Sequence, residues 1–124
     1  MNTLDYKATP ATPEIYYGGD DKLLIKGRSM PEDVKIFYQP LLDWAGSIQI
    51  STLSVDMNLE YMNSSSSKKL IYVLKILDAN NNIKKLTINW YYEEGDEEAL
   101  ESGMIFEERL LKAEFRYHEI KEVA

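Results

Sequence analysis

The sequence predicts a single α/β domain, and three patterns predict it. Segments such as Leu86-Thr87-Ile88-Asn89-Trp90 alternate apolar and polar residues, which is the period of a strand. Other segments repeat apolar residues at three- and four-residue spacing, as in Leu70, Val73, Leu74 and Leu77, which is the period of a helix face. The two kinds take turns along the chain, so successive strands must be joined by helical crossovers into a sheet. The expected order is β-β-α-β-α-β-α-β, with a sheet of about four to five strands. A chain of 124 residues suits one domain with a modest core, spanning 1–124.

Residues 1–11 are rich in Thr, Pro and Ala and read as a loose arm. Glu14-Ile15-Tyr16-Tyr17 reads as a short strand, Gly18-Gly19-Asp20-Asp21 as a turn, and Lys22 to Gly27 as the returning strand of a hairpin. Ser29-Met30-Pro31-Glu32 has the form of a helix start, with Ser29 as cap and Glu32 reaching back. Val34, Phe37, Leu41 and Trp44 follow at helical spacing, to an end near Gly46. Pro40 inside this pattern removes the hydrogen bond to the Ile36 carbonyl, so a kink or break is expected there.

Ile48 to Tyr61 supplies the next strand, apolar at Val55, Met57, Leu59 and Tyr61. Four serines, Ser64 to Ser67, lead into a helical run from Lys68 to Ala79. Asn80-Asn81-Asn82 is a turn, and Leu86 to Tyr92 is a strand. Glu93-Glu94-Gly95-Asp96-Glu97-Glu98 opens a helix running to about Leu111, because acids in a first turn oppose the dipole. Phe115, Tyr117 and Val123 suggest a last strand, with alternation lost near Ile120. No internal repeat is visible.

Composition narrows the function. The apolar share of 44% argues against global disorder. The formal charge of −7 argues against non-specific nucleic-acid binding, which needs a basic face, and against an anionic membrane surface. Without cysteine there are no disulfides, thiol nucleophiles or Cys-zinc sites. The first residues show no basic-then-apolar signal, and no apolar run approaches the ~18 residues of a membrane span. A cytoplasmic location is the default expectation. No cofactor and no metal are expected. His118 stands alone and reads as a surface strand residue, and the acids of Glu93 to Glu98 lack EF-hand spacing. No phosphate loop, nucleophile elbow or dinucleotide fingerprint is present, so an enzyme is not expected and no catalytic residue is named.

The most informative segment is Leu59 to Leu77. Its serines lie where a strand hands over to a helix, and there unpaired backbone N–H groups meet the positive end of the helix dipole. A phosphate on such a serine meets ready-made donors. A plain capping role is the competing reading, since Asn63, Ser64 and Ser65 can all accept from N–H groups two or three residues on. The two readings are compatible, because a capping hydroxyl lies where a phosphate would be held.

Leu59-Glu60-Tyr61-Met62-Asn63-Ser64-Ser65-Ser66-Ser67-Lys68 resembles the SiaC family of bacterial regulatory phosphoproteins. That family pattern is an alternating strand, then Tyr-Leu-Asn-Thr-Ser-Ser-x-Lys, then an amphipathic helix. Thr9-Pro10-Ala11-Thr12-Pro13-Glu14-Ile15, Ser29-Met30-Pro31-Glu32, Trp90-Tyr91-Tyr92, Gly95-Asp96 and Phe115 agree in order with its other elements. The family is similar in build to anti-sigma-factor antagonists of the STAS type, so the resemblance implies a STAS-like sheet and partner switching. A cognate serine kinase and a phosphatase would set the state, and one form would bind the downstream partner. That partner is by resemblance a diguanylate cyclase, activated by the unmodified form. The alternatives are an anti-sigma-type regulator, or an adaptor module indifferent to phosphorylation.

Carried over by position, the modified hydroxyl maps to Ser64, with Ser65 and Ser66 as neighbouring alternatives. The implied partner-binding residues are Asn63, Ser64, Ser65, Lys68 and Lys69. Two features depart from the family pattern: its usual Thr is Ser64 here, and the serine run extends to Ser67, where the family often has an apolar residue. The two lysines read equally well as a solvated helix face.

Overall fold

The computed structural model describes residues 3–121. Its strands are β1 (Leu4–Tyr6), β2 (Glu14–Tyr17), β3 (Lys22–Ser29), β4 (Thr52–Met62), β5 (Lys85–Glu93) and β6 (Glu114–Ile120). Its helices are α1 (Val34–Ser47), α2 (Ser64–Ala79) and α3 (Glu97–Glu108). The six strands form one sheet in chain order, β1-β2-β3-β4-β5-β6. β1, β2 and β3 pair antiparallel, whereas β3 to β6 pair parallel. Each parallel step needs a crossover, and α1, α2 and α3 supply them.

Because every crossover steps in the same direction across the sheet, a constant hand puts all three helices on one face. The contacts agree. Tyr17 of β2 packs on Trp44 of α1, Trp90 of β5 packs on Phe106 of α3, and α1 packs on α2. The register carries that face across the strands, pairing Tyr17 with Leu23, Leu23 with Val55, Val55 with Ile88 and Ile88 with Phe115. These side chains and the buried faces of the helices make one core. Tyr16, Leu24, Asp56 and Asn89 alternate onto the opposite face, which no helix of the described residues covers.

Several expectations are corrected. The sheet has six strands, because part of the supposed loose arm pairs with β2 as β1. Leu4 is buried and Tyr6 packs edge-on against Phe37, which anchors this short segment. Ser29 does not cap α1; it is the buried last residue of β3, and Asp33 caps the helix by accepting from the Ile36 N–H. The helix also runs through Pro40 to Ser47. Pro40 and Ile36 both lie on the solvent side, where water can serve the freed carbonyl.

β4 begins at Thr52, not Ile48, and α2 begins at Ser64, not Lys68. β5 extends through Glu93, so α3 starts after the Asp96 cap and ends at Glu108. Tyr61 was expected inward with Leu59. Between them β4 bulges: Gly27 pairs with Leu59 and Arg28 with Tyr61, leaving Glu60 unmatched. The extra residue turns Tyr61 outward and returns Met62 to the core side. Gly27 opposite the bulge has φ +123°, a conformation that favours glycine. Val123 lies outside the described residues.

Candidate functional site

The bulge sets up the turn that follows it. β4 ends at Met62, and Asn63 caps α2 with extended backbone angles. Its N–H donates to the Ser29 carbonyl at 3.1 Å, which ties the cap to the end of β3. Its side-chain Oδ1 accepts from the Ser66 N–H at 2.9 Å and from the Ser65 hydroxyl at 3.2 Å. The cap is therefore Asn63 itself, and none of the four serines is needed for that role.

The serines of the first turn differ sharply in environment. Ser64 and Ser65 are exposed, Ser67 is half-buried, and Ser66 is fully buried. Ser66 Oγ accepts from Ser29 Oγ at 2.8 Å, and Ser29 Oγ lies 2.5 Å from the buried Tyr38 hydroxyl. This chain of hydroxyls joins the end of β3, the middle of α1 and the start of α2. Burial pushes the Tyr38 phenol up to about 12, against a smaller opposing effect of its bond to Ser29. Ser64 is free by contrast: among the described residues its hydroxyl has no hydrogen-bond partner.

Electrostatically the start of α2 is unfilled. It has no acidic residue in its first turn, whereas α3 has Glu97 and Glu98 there. Lys68 lies one turn beyond Ser64 and is exposed; Lys69, one residue on, is half-buried. The structure thus brings Asn63, Ser64, Ser65 and Lys68 to one corner, and sets Ser66 inside it.

Two hollows flank this corner. One, of about 150 Å³, lies at the C-terminal ends of β4 and β5 beside the start of α3, lined in part by Leu59, Tyr61, Trp90, Asp96 and Ser102. The other is a groove on the outer side of α2, lined by Lys68, Ile71, Tyr72, Lys75 and Arg109. Sequence reasoning reached its first residue, Lys68. Tyr72 and Lys75 were findable, since they stand four and seven residues after Lys68. Arg109 directly follows α3 as its C-cap and needed the fold. Ser29 and Tyr38 were missed because the capping motif around Ser29 gave it another role.

Elsewhere, His118 Nε2 lies 3.0 Å from Asn89 Oδ1, and its ring stacks on Tyr91 at 4.7 Å on the uncovered sheet face. The Asn89 amide also donates to Ser54 and Asp56. Among the described residues no three His, Asp or Glu side chains are grouped so as to hold a metal ion. No helix among them is long and apolar enough to cross a membrane.

Comparison with known proteins places this geometry. The model of the SiaC family regulatory phosphoproteins matches residues 6–120. A protein of Pseudomonas aeruginosa strain UCBPP-PA14, itself uncharacterized, is 28% identical over 115 residues, covering 87% of this chain and 90% of that one. Among solved structures, SiaC of Pseudomonas aeruginosa superposes with a TM-score of 0.73 at 24% identity, covering 98% of this chain and 100% of that one. Apo-SiaC from the same organism gives 0.72 at 25% identity, covering 95% and 99%. The structure of the diguanylate cyclase SiaD with its activator SiaC gives 0.77 at 24% identity, covering 94% and 99%.

Proposed function

The chain belongs to the SiaC family of regulatory phosphoproteins, and on that premise we propose that it is a partner-switching protein whose state is set by phosphate on Ser64. The observation that carries the proposal is the exposed, unbonded Ser64 hydroxyl at the start of a helix that lacks any acid in its first turn. A kinase can reach such a hydroxyl without unfolding anything. Ser66 is set aside, because its hydroxyl is buried in the Ser29–Tyr38 chain. Ser65 is exposed but already donates to the cap.

The phosphate adds about −1.5 to −2 charge at pH 7. At Ser64 it would face the N–H end of α2, with Lys68 one turn on, and so be held in place. The helix would stay folded while its corner changes from neutral hydroxyl to bulky dianion. Docking is then blocked by charge and size. A solved relative is the activator of a diguanylate cyclase, and the same kind of partner is proposed here: the unmodified chain binds and activates a cyclase. A cognate serine kinase and phosphatase move it between states in the cytoplasm. The chain itself performs no chemistry in this scheme.

The test is calorimetric titration of the purified cyclase from the same cell with the unmodified chain, Ser64→Ala and Ser64→Asp. Unmodified and Ala forms should bind alike, and the Asp form should bind at least about tenfold more weakly. Equal affinity of all three forms contradicts the proposal.

A further inference from the structure

From the groove beside α2, we infer that the unmodified protein captures an acidic segment of its partner, carboxylates flanking an apolar side chain; the inference rests on the partner-switching reading above. The groove has a volume of about 260 Å³ and is lined by Lys68, Ile71, Tyr72, Lys75 and Arg109. Lys68, Tyr72 and Lys75 follow at four- and three-residue spacing, so they form one stripe on the helix. The opposite stripe, Leu70, Val73, Leu74 and Leu77, is fully buried. Arg109, the residue that closes α3, adds a third cation from the other side.

Charge complementarity identifies the occupant. The whole chain carries −7, yet this groove gathers three cations. None of them belongs to the ion pairs among the described residues, which join Lys7 to Asp5, Arg28 to Glu60 and Arg116 to Glu114. The one acid on α2, Asp78, is engaged by the backbone N–H groups of Leu111, Lys112 and Ala113. The three cations thus make no ion pair within the described residues, and no acid lines the groove with them, although Glu108 precedes Arg109 on α3. Tyr72 is 54% exposed and Ile71 half-buried. Ile105, 50% exposed, stands one helical turn before Arg109 on α3. Three cations on a strongly acidic protein are too few to track a nucleic-acid backbone. They suit two or three carboxylates spaced around one apolar anchor.

This placement links the groove to the switch. Lys68 is both the first residue of the groove and the i+4 neighbour of Ser64. A phosphate on Ser64 would draw Lys68 toward itself and set a dianion at the head of the groove. An acidic segment loses one cation and meets repulsion, so release follows without any movement of α2.

The experiment is titration of the purified cyclase with the unsubstituted chain, with Lys75→Glu, Arg109→Glu and Tyr72→Ala, and with Lys35→Glu as a charge control on α1. Circular dichroism checks that each exposed-site variant is folded. The inference expects about tenfold or greater weakening for the Lys75 and Arg109 variants and for Tyr72→Ala, none for Lys35→Glu, and weaker binding of the unsubstituted chain as salt rises. Full affinity of the groove variants overturns the inference and leaves the switch reading standing. No binding by the unsubstituted chain overturns both. Sedimentation of the chain alone is the last arm: salt-sensitive self-association that Lys75→Glu abolishes assigns the groove to a second copy and overturns the partner segment.

Discussion

Four adjacent serines have four different environments, and this decides which can act. A helix turns about 100° per residue, so a run of identical side chains at its start is spread around the axis. Ser66 points into the core and Ser64 into solvent. That division was not legible in the run Ser64 to Ser67 itself, because it depends on where the helix begins. Asn63 was legible as one capping candidate among three, and the structure selects it. An acid at Ser64 should favour the positive end of α2. Ser64→Asp is expected to raise stability by about 0.3–1 kcal/mol, read as a higher urea midpoint at unchanged slope. Loss of stability would mean that the site is more enclosed than an exposed first turn.

The Tyr38 phenol sets a pH dependence at the same scale. Burial raises it from 10.0 to about 12. Tyr117 is also raised, by burial and then by its hydrogen bond to Glu107 and that carboxylate's charge, and Tyr17 by burial and then by Asp20 and Asp21. The folded state holds these protons more tightly than the unfolded state. Their contribution is therefore complete below pH 10 and is lost as pH rises through each raised value, which for Tyr38 is about 12. Denaturation at pH 9 and pH 11 should show falling stability, and a smaller fall in Tyr38→Phe. A fall of equal size in that variant would remove Tyr38 from the account.

At the scale of elements, α3 and the loop that leads into β6 are fixed by a few close contacts. A Cβ on Gly103 would stand 2.8 Å from the Trp90 ring, and Trp90 Nε1 donates to the Ala99 carbonyl. Gly103→Ala is expected to cost about 1–3 kcal/mol, with altered tryptophan fluorescence. An unshifted melting temperature would show that α3 can slide. Asp78 at the end of α2 accepts from three successive backbone N–H groups leading into β6. Asp78→Ala should cost about 1–3 kcal/mol in urea denaturation. If it costs nothing, water serves that loop as well. The order of helices and strands from Glu14 onward was readable from periodicity, because long amphipathic segments announce themselves. β1 was not, because three residues are too short to show a period and its anchoring comes from Phe37, far along the chain. The bulge at Glu60 was equally hidden, since alternation in β4 continues unbroken in the letters.

For the whole molecule, constant crossover direction leaves one sheet face under helices and the other uncovered by any helix of the described residues, and it gathers the turn after β4, the outer side of α2 and the end of α3 on the covered side. The switch corner was legible from the strand–Asn63–serine–helix pattern, and the groove was not, because Arg109 reaches it only through the packing of α3. The central claim is that phosphate on Ser64 sets the state of the protein. Intact-mass analysis with fragment mapping, on protein isolated from its own cell with and without phosphatase, tests it most directly. A phosphatase-sensitive mass gain on Ser64 is the predicted result; absence of modification across several growth conditions, or a gain confined to another residue, would contradict it.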